Sequence, residues 1–150
     1  MTVGSSDATR PGRPHEVLQE RQALSVCICG GRGAAHAARV AIRSRLDGGV
    51  SPDRLADAAL AVTELVANSV RHAGAGPAED IGVEVLLVAD RIRLCVIDSG
   101  STETPHIIAR EPDDPGGLGL VVADRLAAAW GVARDGGGIT RTWCDLPLAD

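Results

Sequence analysis

The chain has 150 residues, a formal net charge of −5, 45% hydrophobic and 23% charged residues, which is the make-up of one soluble globular domain. All 15 basic residues are arginine, and the absence of lysine excludes a Walker phosphate loop and any Schiff-base or lysine-base chemistry. An acidic chain with no Phe, no Tyr and two Trp also lacks the basic, stacking surface of a nucleic-acid binder, so no nucleic-acid partner is expected.

In chain order, Met1 to Gln22 mixes Gly, Ser, Pro and Arg without an apolar run. It reads as a disordered tail rather than a signal peptide, before a single domain over 23–150. Leu24 to Cys29 is short, apolar and β-branched and stops at Gly30–Gly31, the pattern of a strand. Ala34 to Leu46 has helical spacing and stops at Gly48–Gly49. Ser51, Pro52 and Asp53 then form a helix start, with an N-cap, a proline at the first position and an acid at the positive end of the dipole. Leu55, Ala59, Val62, Val66 and Val70 continue it as a core-facing stripe up to Ala73–Gly74.

Ile81 to Val88 and Arg91 to Ile97 flank Ala89–Asp90 as a hairpin. Ser99 to Gly117 is breaker-rich. Leu118, Val121, Val122, Leu126 and Ala129 mark a third helix, and Val132–Ala133 and Thr140 to Leu146 mark two last strands around Gly136–Gly138. The order β-α-α-β-β-α-β-β predicts an α+β, two-layer sandwich: a mixed, mostly antiparallel sheet with helices on one face. No stretch is long and apolar enough for a membrane span. Cys27, Cys29, Cys95 and Cys144 lack zinc spacing and read as buried free thiols, in keeping with a reducing, cytoplasmic setting.

Three patterns carry chemistry. On the second helix, Glu64, Asn68, Arg71 and His72 share a face opposite the apolar stripe. A solvated outer face would look the same, but an interior Asn is a poor helix former, while its amide oxygen suits Mg²⁺. Asp98 ends an apolar strand two residues before Gly100, where a carboxylate could accept from an exocyclic amine and glycine gives the ligand room, although strand-ending Asp-Ser-Gly is commonly a plain turn. Gly116 to Leu120 opens the third helix with the free backbone N–H groups that bind phosphate, or serves as a hinge. Gly30–Gly31–Arg32–Gly33 fails the dinucleotide fingerprint, because the sixth position counted from Gly31 is His36.

Taken together, ELVANSVRHA resembles the N box, VIDSG the first glycine box and GGLGL the second glycine box of the GHKL (Bergerat-fold) ATPases. The resemblance runs from Leu24 to Leu148 and is closest to the small stand-alone anti-sigma-factor serine kinases of bacterial partner-switching systems. It implies ATP and Mg²⁺ as cofactors. Asn68 would hold the metal, Glu64 would be the general base, and Asp98 would accept from the adenine amine, with Gly100 beside it. The backbone of Gly117, Leu118 and Gly119 would cradle phosphates, and Arg71 and His72 would balance their charge. A last-strand threonine would meet the nucleotide; Thr142 is the assignment, with Thr140 left open and Arg141 an alternative occupant of that position.

The chain departs from the pattern at Thr102 and in Gly138–Ile139–Thr140–Arg141. The resemblance implies a protein kinase acting on a Ser or Thr of an antagonist protein, a sigma factor as second partner, and a homodimer. The alternative is a catalytically inactive, nucleotide-responsive module that sequesters a partner.

Overall fold

The computed structural model describes residues 21–72, 76, 78–99 and 125–149. The element order is β1 (Arg21–Cys29), α1 (Ala34–Leu46), α2 (Pro52–His72), β2 (Asp80–Val88), β3 (Arg91–Asp98), β4 (Ala129–Arg134) and β5 (Thr140–Pro147). The strands form one sheet in the order β1-β2-β3-β5-β4, with every pairing antiparallel. The mixed sheet expected from the sequence is therefore purely antiparallel among the described strands. A tight turn joins β2 to β3 and a short connection joins β4 to β5, whereas the antiparallel neighbours β1 and β2 are joined through both helices.

Local chemistry sets the boundaries. The Ser51 hydroxyl accepts from the Arg54 backbone N–H at 3.3 Å, so α2 starts on the cap its sequence announces. Gly48 follows α1 at φ +74°, a conformation a side chain resists. In the β4–β5 turn, Gly138 takes φ +86° and the Asp135 carboxylate accepts from the N–H groups of Gly137 and Ile139 at 2.8 and 3.0 Å.

Both helices lie on the same face, α1 over β1 and β2 and α2 over β3 and β5. Period-two alternation sends Ile81, Val83 and Val85 of β2, Ile92, Leu94 and Val96 of β3, and Cys144 and Leu146 of β5 under the helices. Ala38, Ile42 and Leu46 of α1 and Ala58, Val62, Leu65 and Val66 of α2 meet them. Each fully buried Val, Leu or Ile contributes about 1.5–3 kcal/mol. Among the described residues no helix is long and apolar enough to cross a membrane.

Three expectations shift. The strand expected from Val132 begins at Ala129, so Ala129 belongs to β4 rather than to the third helix expected there. Only Arg125 and Leu126 of that helix are described, and both are helical. Cys27 and Cys29 are exposed, because on an edge strand the alternation turns both away from the helices; Cys95 and Cys144 are buried as expected. The first strand starts at Arg21, so Arg21 and Gln22 of the expected tail belong to it, and residues 1–20 lie outside the described residues.

Candidate functional site

Among the described residues six polar side chains are buried: Asn68, Ser69, Asp98, Thr140, Thr142 and Asp145. Asp145 has its explanation in the structure. Arg93 donates to its two carboxylate oxygens at 2.6 and 2.8 Å on the face of the sheet away from the helices. The other five belong to α2 and to the helix-covered face of β3 and β5, the strands on which α2 packs. Burying polar groups is unfavourable unless something meets them, so five in one interlayer region mark it as a site.

The antiparallel register builds it. Asp98 closes β3 directly opposite Thr140 of β5, and the next pair on that face is Val96 with Thr142. Asp98 thus ends an apolar column with a carboxylate, and Thr140 adds a hydroxyl beside it. The Thr140 Oγ1 is buried and has no hydrogen-bond partner among the described residues. An orphaned hydroxyl next to a buried carboxylate is the polar lining of a pocket that expects a ligand.

From the helix side, Glu64 is half-buried and Asn68 lies one turn on at 8% exposure. Asn68 was expected on an outer face opposite the stripe and is buried instead. α2 is covered round a wide arc, through Ala58, Ala59, Ala61, Val62, Leu65 and Val66, because it packs on both the sheet and α1. Arg71 is exposed. His72 ends α2, but its side chain is outside the described residues, as are Gly100, Gly117, Leu118 and Gly119. The structure therefore brings Asn68, Asp98 and Thr142 into the layer interface, with Glu64 at its margin.

The sequence leaves open whether Thr140 or Thr142 meets the nucleotide, and the structure buries both. The signal for both was available in the alternation itself: on β5, residues 140, 142, 144 and 146 share one face and 141, 143 and 145 the other. The same alternation removes Arg141 from contention. It lies on the uncovered face, 3.0 Å from Glu84 and 3.5 Å from the Cys95 Sγ.

Anion and cation binding can be weighed from the same residues. A hollow of about 310 Å³ lies around Gly82, lined among others by Ser25, Cys27, Asp80, Glu84, Ile97 and Ile139. Three carboxylates, Asp80, Glu84 and Asp98, and no arginine in its lining make it hostile to phosphate. No three His, Cys, Asp or Glu side chains among the described residues gather as metal ligands. A hard cation at α2 would take one protein oxygen, the Asn68 amide, and complete its shell with phosphates and water, which is how Mg²⁺ commonly binds.

Thiol chemistry is not part of the site. Burial raises the Cys95 thiol above its ordinary range, and burial reinforced by Asp145 pushes Cys144 up to about 12, so both stay protonated and unreactive near neutral pH.

Comparison with known proteins bears on the family and the fold. The profile of the family described as "Histidine kinase-like ATPase domain" matches residues 32–143. The crystal structure of the RsbU and RsbW domains of Rv1364c from Mycobacterium tuberculosis superposes with a TM-score of 0.60 at 25% identity, over 85% of this chain and 33% of that one. The present chain thus spans about a third of that structure's length. No curated protein matches the sequence.

Proposed function

Starting from the chain's membership of the histidine kinase-like ATPase domain family, we propose that it binds Mg-ATP between α2 and the β3–β5 end of the sheet. There it transfers the terminal phosphoryl group to a Ser or Thr hydroxyl of a partner protein. The observation that carries this reading is the buried Thr140 hydroxyl, without a hydrogen-bond partner among the described residues and paired across the sheet with Asp98. A purine with an exocyclic amine and ring nitrogens offers the donor and acceptor that such a carboxylate and hydroxyl require.

Each residue then has a task. Asp98 accepts from the adenine amine, and Thr140, with Thr142 behind it, completes the polar edge of the base pocket. Asn68 offers its amide oxygen to Mg²⁺, which when bound neutralises phosphate charge. Glu64, one turn earlier and half-buried, takes the proton of the attacking hydroxyl. Arg71 and His72 would balance the phosphate charge, and the backbone N–H groups of Gly117 to Gly119 would bind the phosphates. Phosphoryl transfer asks mainly for positioning and charge stabilisation, which this set supplies without lysine.

The likeness to a structure containing an RsbW domain supports a place in a partner-switching system, with an antagonist protein as phosphoryl acceptor, a sigma factor as sequestered partner and a homodimer as the working unit. Such a protein would work in the cytoplasm. Titration of ATP and ADP with and without Mg²⁺, by calorimetry and tryptophan fluorescence, tests the core of the reading. Trp130 is the relevant reporter, being buried on the covered face next to β5, whereas Trp143 lies on the other face under Arg93. Saturable Mg-dependent binding that is lost in Asn68→Ala is expected. Absence of binding at millimolar nucleotide would overturn it and leave a partner-binding module without catalysis.

A further inference from the structure

The proposed chemistry uses none of the four cysteines, and the sheet divides them into two kinds. Cys95 and Cys144 are buried, with thiols that burial keeps protonated, whereas Cys27 and Cys29 are free and exposed. The exposed pair stands on β1, an edge strand, with Ile28 between them packed against the core. Two residues apart on one strand, the two thiols share the uncovered face. The register fixes their surroundings. Cys27 lies across from Gly82 and Cys29 from Asp80, and just beyond the pair the Gly30 N–H donates to the Glu79 carbonyl at 2.8 Å. Both thiols are therefore carried on backbone that is held to β2. Gly82 sets no side chain against Cys27, and the hollow of about 310 Å³ around that glycine has Cys27 in its wall. The pair is thus ordered by its strand and open to a ligand.

Separation then selects the chemistry. Extended backbone rises about 3.3 Å per residue, so the two β-carbons stand about 6.6 Å apart. A disulfide needs its β-carbons at about 3.5–4.5 Å, so these two thiols cannot join each other while β1 stays in the sheet. An ion held in line between two thiolates needs its sulfurs about 4.6 Å apart, twice a metal–sulfur bond of about 2.3 Å. Each sulfur then leans inward by about 1 Å, which rotation about the Cα–Cβ bond supplies. Ligand number narrows the ion further. No three His, Cys, Asp or Glu side chains gather as ligands among the described residues, whereas structural Zn²⁺ and iron–sulfur clusters take four. The hard cations Mg²⁺ and Ca²⁺ take oxygen and not sulfur. Cu(I) is soft, is selected by thiolates, and is satisfied by two of them.

We propose that Cys27 and Cys29 form a two-coordinate site for Cu(I) on the edge of the sheet. Binding forms two copper–sulfur bonds and releases one proton from each thiol to solvent, and neither copper nor sulfur changes oxidation state. The site is separate from the nucleotide region. It lies on the uncovered face of β1, whereas the buried polar cluster lies on the covered face of β3 and β5, with β2 between. Copper binding and nucleotide binding are therefore independent properties of the chain, and neither reading needs the other.

The test titrates the reduced full chain, without oxygen, against Cu(I) held by the coloured chelator bicinchoninate, whose loss of colour reads both affinity and stoichiometry. One Cu(I) per chain is expected, with sulfur-to-copper charge-transfer absorption in the ultraviolet. Cys27→Ser and Cys29→Ser should each weaken binding by more than about 100-fold, beyond what loss of an outer-shell partner costs. Cys95→Ala should leave it unchanged, because that thiol is buried. Ser25 stands two residues before Cys27 on the same face and is exposed, so Ser25→Cys with Cys29→Ser rebuilds the spacing and should restore binding. Ile28→Cys with Cys29→Ser sets the two thiols on opposite faces and should not. Serine variants that compete as the wild type does, no rescue by the shifted pair, half a copper per chain, or displacement of Cu(I) by equimolar Zn²⁺ would overturn the proposal. Mg-ATP binding, measured on the same proteins, is expected to be equal in all of them. Copper binding without nucleotide binding in the wild type would sink the kinase reading and leave the copper site standing.

Discussion

The two faces of the sheet treat polar residues in opposite ways. On the uncovered face, charge is answered by charge. Arg93 clasps Asp145 through two hydrogen bonds and stacks 4.6 Å from the centre of the Trp143 ring, Arg91 adds a contact to Asp145 at 3.5 Å, and Arg141 reaches Glu84 at 3.0 Å. On the covered face the polar groups collect at the β3–β5 end beneath α2, and one of them, the Thr140 hydroxyl, has no hydrogen-bond partner among the described residues. Self-paired polar residues keep a face soluble and in register, whereas buried polar residues left open keep a place for something else. The comparison predicts that substitutions on the covered end change nucleotide chemistry, and that those on the uncovered face change only stability.

The largest effect is expected for Glu64→Ala, which should slow phosphoryl transfer to a protein acceptor by roughly 10²–10⁴ while leaving Mg-ATP affinity near wild type. A radiolabel transfer assay beside calorimetry separates the two. Equal loss of transfer and of binding would place Glu64 among the binding groups instead. Next, Asn68→Ala should weaken Mg-dependent ATP binding by about 100-fold, with the thermal unfolding transition retained. Because Asn68 is buried rather than on a solvated face, some stability is lost as well, on the order of 1 kcal/mol.

Thr140→Val sharpens the comparison further. It removes an unpaired hydroxyl while keeping shape, so it should hold or raise stability and yet weaken ATP binding by about tenfold. The same substitution at Thr142, across from Val96 rather than Asp98, should weaken it less. A Thr140→Val chain that binds ATP as the wild type does would remove the argument from the orphaned hydroxyl.

How far the sequence carried the reading follows from these residues. α2 was legible because Ser51, Pro52 and Asp53 state its start in local chemistry and its apolar period is long. The β2–β3 hairpin was legible because two β-branched runs flank a two-residue turn. Asn68 and Glu64 could be found by spacing, but the burial of Asn68 could not, since it depends on how much of α2 the sheet and α1 cover. Thr140 needed the register of β5 against β3, a tertiary quantity. The start of β4 was hidden because Leu126 to Val132 is a continuous apolar run whose period does not separate helix from strand. Cys27 and Cys29 were misread for a similar reason. Alternating Cys with Val and Ile gives two apolar faces, and only the pairing with β2 decides which one is covered.

The uncovered face supplies the converse test. Gly131 of β4 lies under Trp143, and a Cβ there would come within 2.8 Å of the indole ring. Gly131→Ala should displace that ring from beneath Arg93 and cost about 1–3 kcal/mol of stability, read as a lowered urea midpoint, with ATP affinity unchanged. A nucleotide-binding defect in this variant would mean that the two faces are coupled through β5, and the division of labour between them would fail.

The smallest expected effect joins the faces at Cys144, which lies on the covered side between Trp130 and Leu94 as strand neighbours and is pushed up to about 12 chiefly by burial. In the unfolded chain the thiol ionises near its ordinary value of 9.0, so its contribution is fully present below pH 9 and is lost as pH rises from there towards 12. Urea midpoints measured at pH 8 and pH 10.5 should therefore fall for the wild type and fall less for Cys144→Val. Because Cys27 and Cys29 are exposed, Cys27→Ser with Cys29→Ser should leave the alkaline decline as it is. If those two substitutions flattened the decline and Cys144→Val did not, the thiol governing alkaline stability would lie on the edge strand rather than in the core.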